Sequence, residues 1–97
     1  MPPAFDTVAG DYNVTSEPVL LINKAVPAAH NINLPASAVR LGIGIRIKDI
    51  AGNDAANVAT IVPNGAEKID GLNSLPINSN YGGFYLVPLA GGWYISP

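Results

Sequence analysis

Apolar residues along the chain fall into runs of four to eight, separated by glycine, proline and asparagine, and this punctuation predicts strands joined by turns. Nine such runs are predicted as strands: residues 11–15, 19–23, 30–34, 42–48, 57–62, 67–70, 75–78, 84–89 and 93–96. No stretch sustains a 3.6-residue period, so helix is limited to a single turn. Turn signals every eight to twelve residues or so are the mark of an antiparallel sandwich or barrel. The expected fold is therefore all-β, an antiparallel β-sandwich or barrel-like module of about eight short strands.

The clearest strand is Gly42-Ile43-Gly44-Ile45-Arg46-Ile47-Lys48, whose isoleucines fall on one face while Gly44, Arg46 and Lys48 fall on the other. Turn-tolerant residues follow from Asp49 to Asp54, and a β-branched run resumes at Asn57, so 42–62 reads as a hairpin with a long tip. Pro35, Pro63, Pro76 and Pro88 lie at or near the ends of runs, and Pro88 predicts a strand that ends early or lies at a sheet edge. Gly91-Gly92 suits a tight primed turn, which makes 81–95 the hairpin that closes the fold.

At 97 residues the chain fits one domain, read as an extended N-terminal arm over 1–10 and a β-sandwich domain over 11–97. Folding at this mass buries roughly 64% of the unfolded surface, enough for one small core. Charged residues are 12% of the chain against 48% hydrophobic, about half the usual charged share. Such a chain either exposes apolar surface or covers it with another subunit, and association is the expectation. A net charge of −2 with no basic block argues against nucleic acid as a partner. No apolar run approaches a membrane span, and the start Met1-Pro2-Pro3-Ala4-Phe5-Asp6 lacks the basic and apolar regions of a secretory signal. Synthesis in the cytoplasm without membrane insertion is expected.

Candidate chemistry is sparse. Without cysteine there is no thiolate nucleophile and no cysteine-bound zinc. The sole histidine, His30, alternates with Ile32 and Leu34 and reads as a packed or rim residue with no evident partner. Glu67 with Asp70, and Asp49 with Asp54, are the nearest carboxylate pairs, and both read as strand-end and turn residues. The 49–54 loop lacks the alternating acids and distant glutamate of a calcium loop. The sequon Asn13-Val14-Thr15 reads as a polar strand end. No catalytic residue, cofactor or metal is expected, and the chain is read as a non-enzyme.

Two recognition features remain. Tyr81, Tyr85, Trp93 and Tyr94 cluster near the C-terminus and could stack on sugar rings, the basis of an alternative reading as a carbohydrate-binding module for a host-surface glycan. Phe5 and Val8 have no place in the strand pattern and are candidate docking residues of the arm, whose removal would then leave the domain folded.

The ordered set Asp11-Tyr12-Asn13-Val14-Thr15, Val19-Leu20-Leu21-Ile22-Asn23-Lys24, Ile32-Asn33-Leu34-Pro35-Ala36 and Ile45-Arg46-Ile47-Lys48-Asp49 with Gly52-Asn53 resembles a small β-rich module of tailed-bacteriophage virion proteins. Ile69-Asp70-Gly71, Ile77-Asn78-Ser79-Asn80-Tyr81-Gly82 and Gly92-Trp93-Tyr94-Ile95 continue it, so the resemblance spans about residues 11–96. It implies a structural or binding protein on the virion surface without enzyme activity. A module beginning about ten residues from Met1 implies a small separate subunit, a capsid decoration or head-fibre protein, with a tail appendage as the other possibility. It further implies a homo-oligomer, trimeric by analogy, docked on a major capsid or tail protein.

Overall fold

Isoleucine and leucine at alternate positions give most strands one face for a core and one for solvent, and the computed structural model builds two sheets from them. It describes residues 3–7, 10–23 and 28–96. In chain order the strands are β1 (Ala4–Asp6), β2 (Tyr12–Asn13), β3 (Val19–Ile22), β4 (His30–Asn33), β5 (Ile45–Asp49), β6 (Ala59–Val62), β7 (Lys68–Ile69), β8 (Leu75–Ile77), β9 (Gly83–Leu89) and β10 (Gly92–Ser96). One turn of 3-10 helix, Ser37–Arg40, precedes β5. Each of the nine predicted runs overlaps a strand, and β1 is additional.

The larger sheet has the order β1-β3-β5-β9-β10-β7 and the smaller β2-β4-β6-β8. From β1 to β8 successive strands alternate between the sheets, so neighbours within a sheet are mostly two apart in sequence. That winding makes β1–β3, β3–β5, β2–β4, β4–β6 and β7–β10 parallel. Only β5–β9, β6–β8 and the β9–β10 hairpin are antiparallel. The expected antiparallel pairing is thus corrected to a mixed one. The long-tipped hairpin over 42–62 is also corrected, because β5 and β6 belong to different sheets. Turn residues such as Gly52-Asn53 permit a reversal, but they do not specify whether the returning strand lies beside the first or across the core from it.

The closing hairpin is present, with Gly91 at φ +82°. Gly92 is already in β10, where a Cβ would stand 2.9 Å from the Lys68 carbonyl oxygen. Pro88 is neither at a sheet edge nor at an early strand end, since β9 runs through it to Leu89. It is tolerated because Ile45, the first residue of β5, pairs with Leu86, so at Pro88 the ladder has a partner on the β10 side alone. Pro76, expected near the end of its run, is the middle residue of β8, which is tolerated because β8 is an edge strand.

Between the sheets, Leu20, Ile22, Ile45, Ile47, Leu86 and Trp93 of the larger meet Ile32, Ala59, Ile61, Leu75 and Ile77 of the smaller in one apolar cluster. Ala4–Asp6, expected in a free arm, form the edge strand β1 in register with Leu20–Ile22. Asp6 is fully buried, and its Oδ2 lies 2.7 Å from His30 Nε2, joining the larger sheet to β4 of the smaller. His30 therefore has a partner, one the sequence does not reveal because 24 residues separate the two.

Removing the Asp6 carboxylate leaves the buried His30 Nε2 without its hydrogen-bond partner, at a cost of about 1–3 kcal/mol. Asp6→Ala is expected to lower Tm by roughly 4–24 °C at this chain length. Deleting residues 2–10 should destabilise the domain at least as much, measured by thermal melts followed by circular dichroism. An unchanged Tm in both variants would show that β1 and its hydrogen bond to His30 do not hold the sheets together.

Candidate functional site: the outer face of the larger sheet

Most of the ionisable groups that could carry chemistry are used to tie down backbone. Each crossing between sheets leaves N–H and C=O groups outside any ladder, and buried groups of that kind must find partners. Asp49, at the end of β5, is fully buried and accepts five backbone N–H donors. Oδ1 takes those of Ala51 and Gly52 at 2.9 Å, and Oδ2 those of Asn53, Asp54 and Tyr81 at 3.0–3.1 Å. Burial alone raises its pKa, but the donors of Tyr81, Asp54, Gly52 and Ala51 together outweigh burial and hold it below the ordinary carboxylate value. Both oxygens are ringed by N–H groups, an arrangement that suits an anion and opposes a cation.

Arg40 does the converse. Its buried guanidinium donates to four carbonyl oxygens, from Nη1 to Thr15 and Glu17, from Nη2 to Gly44 and from Nε to Ile43. Burial lowers its pKa, and the charge of Glu17 partly opposes this. Glu17 accepts from the Thr15 N–H at 2.6 Å and from the Tyr12 hydroxyl. Burial raises the Glu17 pKa, yet these hydrogen bonds bring the net value below normal. Burial, then the bond to Glu17, pushes Tyr12 up to about 12.

The other carboxylates follow the same rule. Glu67 accepts from the Ser37 N–H at 3.0 Å, with the Ser37 hydroxyl 2.9 Å from its second oxygen. Asp70 Oδ1 is 3.3 Å from the Ile95 nitrogen. Glu67 and Asp70 thus act on different backbone segments. Asn13, last residue of β2, accepts from Asn33 Nδ2 at 3.0 Å.

The four aromatic candidates do not form one platform. Trp93 faces inward from β10 and is 0% exposed, so it cannot stack on a ligand; this corrects its assignment to a glycan site. Alternation leaves the indole and the hydroxyphenyl rings of the same sequence cluster on opposite faces of the larger sheet. Tyr85 and Tyr94 share its outer face, while Tyr81 lies in the turn before β9, 59% exposed and at φ +61°. Tyr81 is held there by Asp49, by the Lys48 ammonium on its carbonyl, and by its ring packed over Gly52. Phe5 is half exposed on the same outer face as Tyr85 and Tyr94, in register with Leu21. Val8 lies outside the described residues.

Strand register assembles that face. Val19, Arg46, Tyr85 and Ser96 form one row across four strands, and Phe5, Leu21, Lys48 and Gly83 form a second. Val87 pairs with Tyr94 beyond the first row. The Arg46 guanidinium lies 5.1 Å from the centre of the Tyr85 ring. A Cβ at Gly44 would stand 2.4 Å from the Tyr85 hydroxyl oxygen, so only glycine leaves room there for the ring. Arg46 was not singled out from sequence. Its signal was its place on the polar side of the best strand, but the Tyr85 partner follows only from the β5–β9 register.

Replacing Asp49 by Asn is expected to cost about 3 kcal/mol near neutral pH, because charged acceptor oxygens are lost from buried donors. A folded pKa below the unfolded value means that the Asp49 contribution is complete above the unfolded carboxyl pKa and disappears as pH falls through the lower folded value. The stability gap between wild type and Asp49→Asn, read from urea melts, should therefore be constant above pH of about 5 and close below about 4. A gap that widens on acidification would contradict the assignment. Among known proteins, no family model and no curated sequence matches this chain.

Proposed function

We propose that this chain is a structural subunit on the surface of a tailed-bacteriophage particle, a capsid decoration, head-fibre or tail-appendage protein that associates with itself and docks on a major capsid or tail protein. In this reading the two sheets are the layers of a β-sandwich, the chain is made in the host cytoplasm, and it catalyses no reaction. Its support is the resemblance over residues 11–96 together with one structural observation: polar groups are drawn inward while large apolar side chains stand outside. Of the seven acids, Asp6, Glu17, Asp49 and Asp54 are buried, and so is Arg40 among the five bases.

The apolar display is strongest at one end. Val39, Leu41 and Ile43 are 72%, 54% and 54% exposed, beside Leu89 at the end of β9, whose carbonyl oxygen lies 2.7 Å from the Ser37 hydroxyl. Arg40 is the only charged residue from 36 to 45, and it is turned inward against four carbonyl groups. Copies of such an uncharged end can meet about a symmetry axis without like-charge repulsion. A second reading, recognition of a host glycan, is favoured by Tyr81, an exposed ring held at a positive φ that costs a non-glycine residue of order 1 kcal/mol or more.

Light scattering of the purified protein over a range of concentrations tests the first reading. The expected result is a stable oligomer, a trimer of roughly 30 kDa from a 10.0 kDa chain, that Val39→Ser with Leu41→Ser dissociates. A monomer at every concentration would remove self-association.

A further inference from the structure

We propose that the outer face of the larger sheet docks an acidic protein surface, with Arg46 as its anchor. This rests on the reading of the chain as a docking module and names the chemistry of its partner. Three observations point there.

The first is charge. Arg46 and Lys48 on β5 and Lys68 on β7 all lie on this face, and they are all the basic residues that are described and not buried. No strand position on the face carries a carboxylate. Asp70, just past the end of β7, is engaged with the Ile95 N–H. Arg46 makes no ion pair among the described residues, although the chain as a whole carries net negative charge. A face that is locally basic on an acidic protein is specific in its polarity.

The second is that self-stacking is disfavoured. An isologous contact presents the same patch from both copies, so two such faces would set Arg46 and Lys48 against their own equivalents across an apolar layer. A carboxylate-bearing surface supplies the missing counter-charge. Arg46 already lies over Tyr85, which limits the rotamer freedom it loses on pairing, and its guanidinium can offer a bidentate contact to a carboxylate.

The third separates a protein partner from an acidic saccharide. The Arg46 guanidinium lies over the Tyr85 ring, 5.1 Å from its centre, and competes with a sugar ring for that face. Around Arg46 the positions belong to Val19, Leu21, Val87 and Tyr94, with Phe5 farther out. Aliphatic and aromatic side chains surrounding an arginine, with acids absent, form the composition of a protein interface core.

The test uses the full chain and a random copolymer of glutamate and tyrosine as probe, with a lysine–tyrosine copolymer and polygalacturonate as comparisons, read by biolayer interferometry. The acidic copolymer is expected to bind, to weaken as salt is raised, and to lose about tenfold or more in affinity with Arg46→Glu. Arg46→Gln should fall between, and circular dichroism should show both variants folded. Equal binding of the lysine copolymer, absence of binding to the glutamate copolymer, or an Arg46→Glu variant that binds like wild type would overturn the proposal. Polygalacturonate binding in place of the copolymer would assign the face to acidic saccharide instead. A monomer in light scattering that still binds the copolymer removes only self-association, whereas a trimer that ignores it removes only the acidic partner.

Discussion

The fold depends on satisfying the backbone of its crossings. Parallel pairing of strands two apart in sequence sends nearly every connection from one sheet to the other, and such connections cannot close their hydrogen bonds as two-residue hairpins do. Asp49 and Arg40 solve this from opposite signs. One buried carboxylate gathers five N–H groups around the loop after β5, and one buried guanidinium gathers four carbonyl groups around the entry to it. Asp6 and His30 add a tie between the sheets themselves. With these groups in place β5 is fixed at both ends, and β5 joins the parallel half of the larger sheet to its antiparallel half.

That economy shapes the surface. A chain with few charged residues commits several of them to the interior, where they are costly unless fully hydrogen-bonded. The exterior is left with little charge, an apolar end around Val39 and Leu41, and a sheet face whose charged strand positions are all basic. Low surface charge favours association. The proposed association therefore rests on the same distribution of polar groups that holds the loops, and the two surfaces divide the work: the uncharged end suits contact between copies, and the basic face suits a partner of different composition.

Strand positions were legible because period-two alternation and turn residues are local signals, and Ile45 to Lys48 shows them at their clearest, whereas Ile43, expected on the same face, precedes β5 and is exposed. Pairing was not, since a parallel crossing and a long hairpin use the same apolar strands and the same Gly52-Asn53 turn residues. β1 escaped notice because three residues, Ala4, Phe5 and Asp6, are too few to show alternation and their partner β3 supplies the register. The aromatic cluster was visible, but its division into buried Trp93 and exposed Tyr94 depends on which face of β10 meets the smaller sheet. Asp49 read as a turn former, correctly as far as it went; its fifth donor, Tyr81, lies 32 residues away. Arg46 over Tyr85 depends on the β5–β9 register in the same way.

Amide hydrogen exchange followed by NMR tests the central claim most directly, because it reads the individual donors around Asp49. Ala51, Gly52, Asn53, Asp54 and Tyr81 belong to loops and turns, where amides ordinarily exchange fast. The account predicts that all five are protected to an extent approaching that of the β5 ladder, and that Asp49→Asn releases them together while the core amides of Ile47 and Leu86 stay protected. Five loop amides exchanging at the rate of an open chain in the wild-type protein would contradict it.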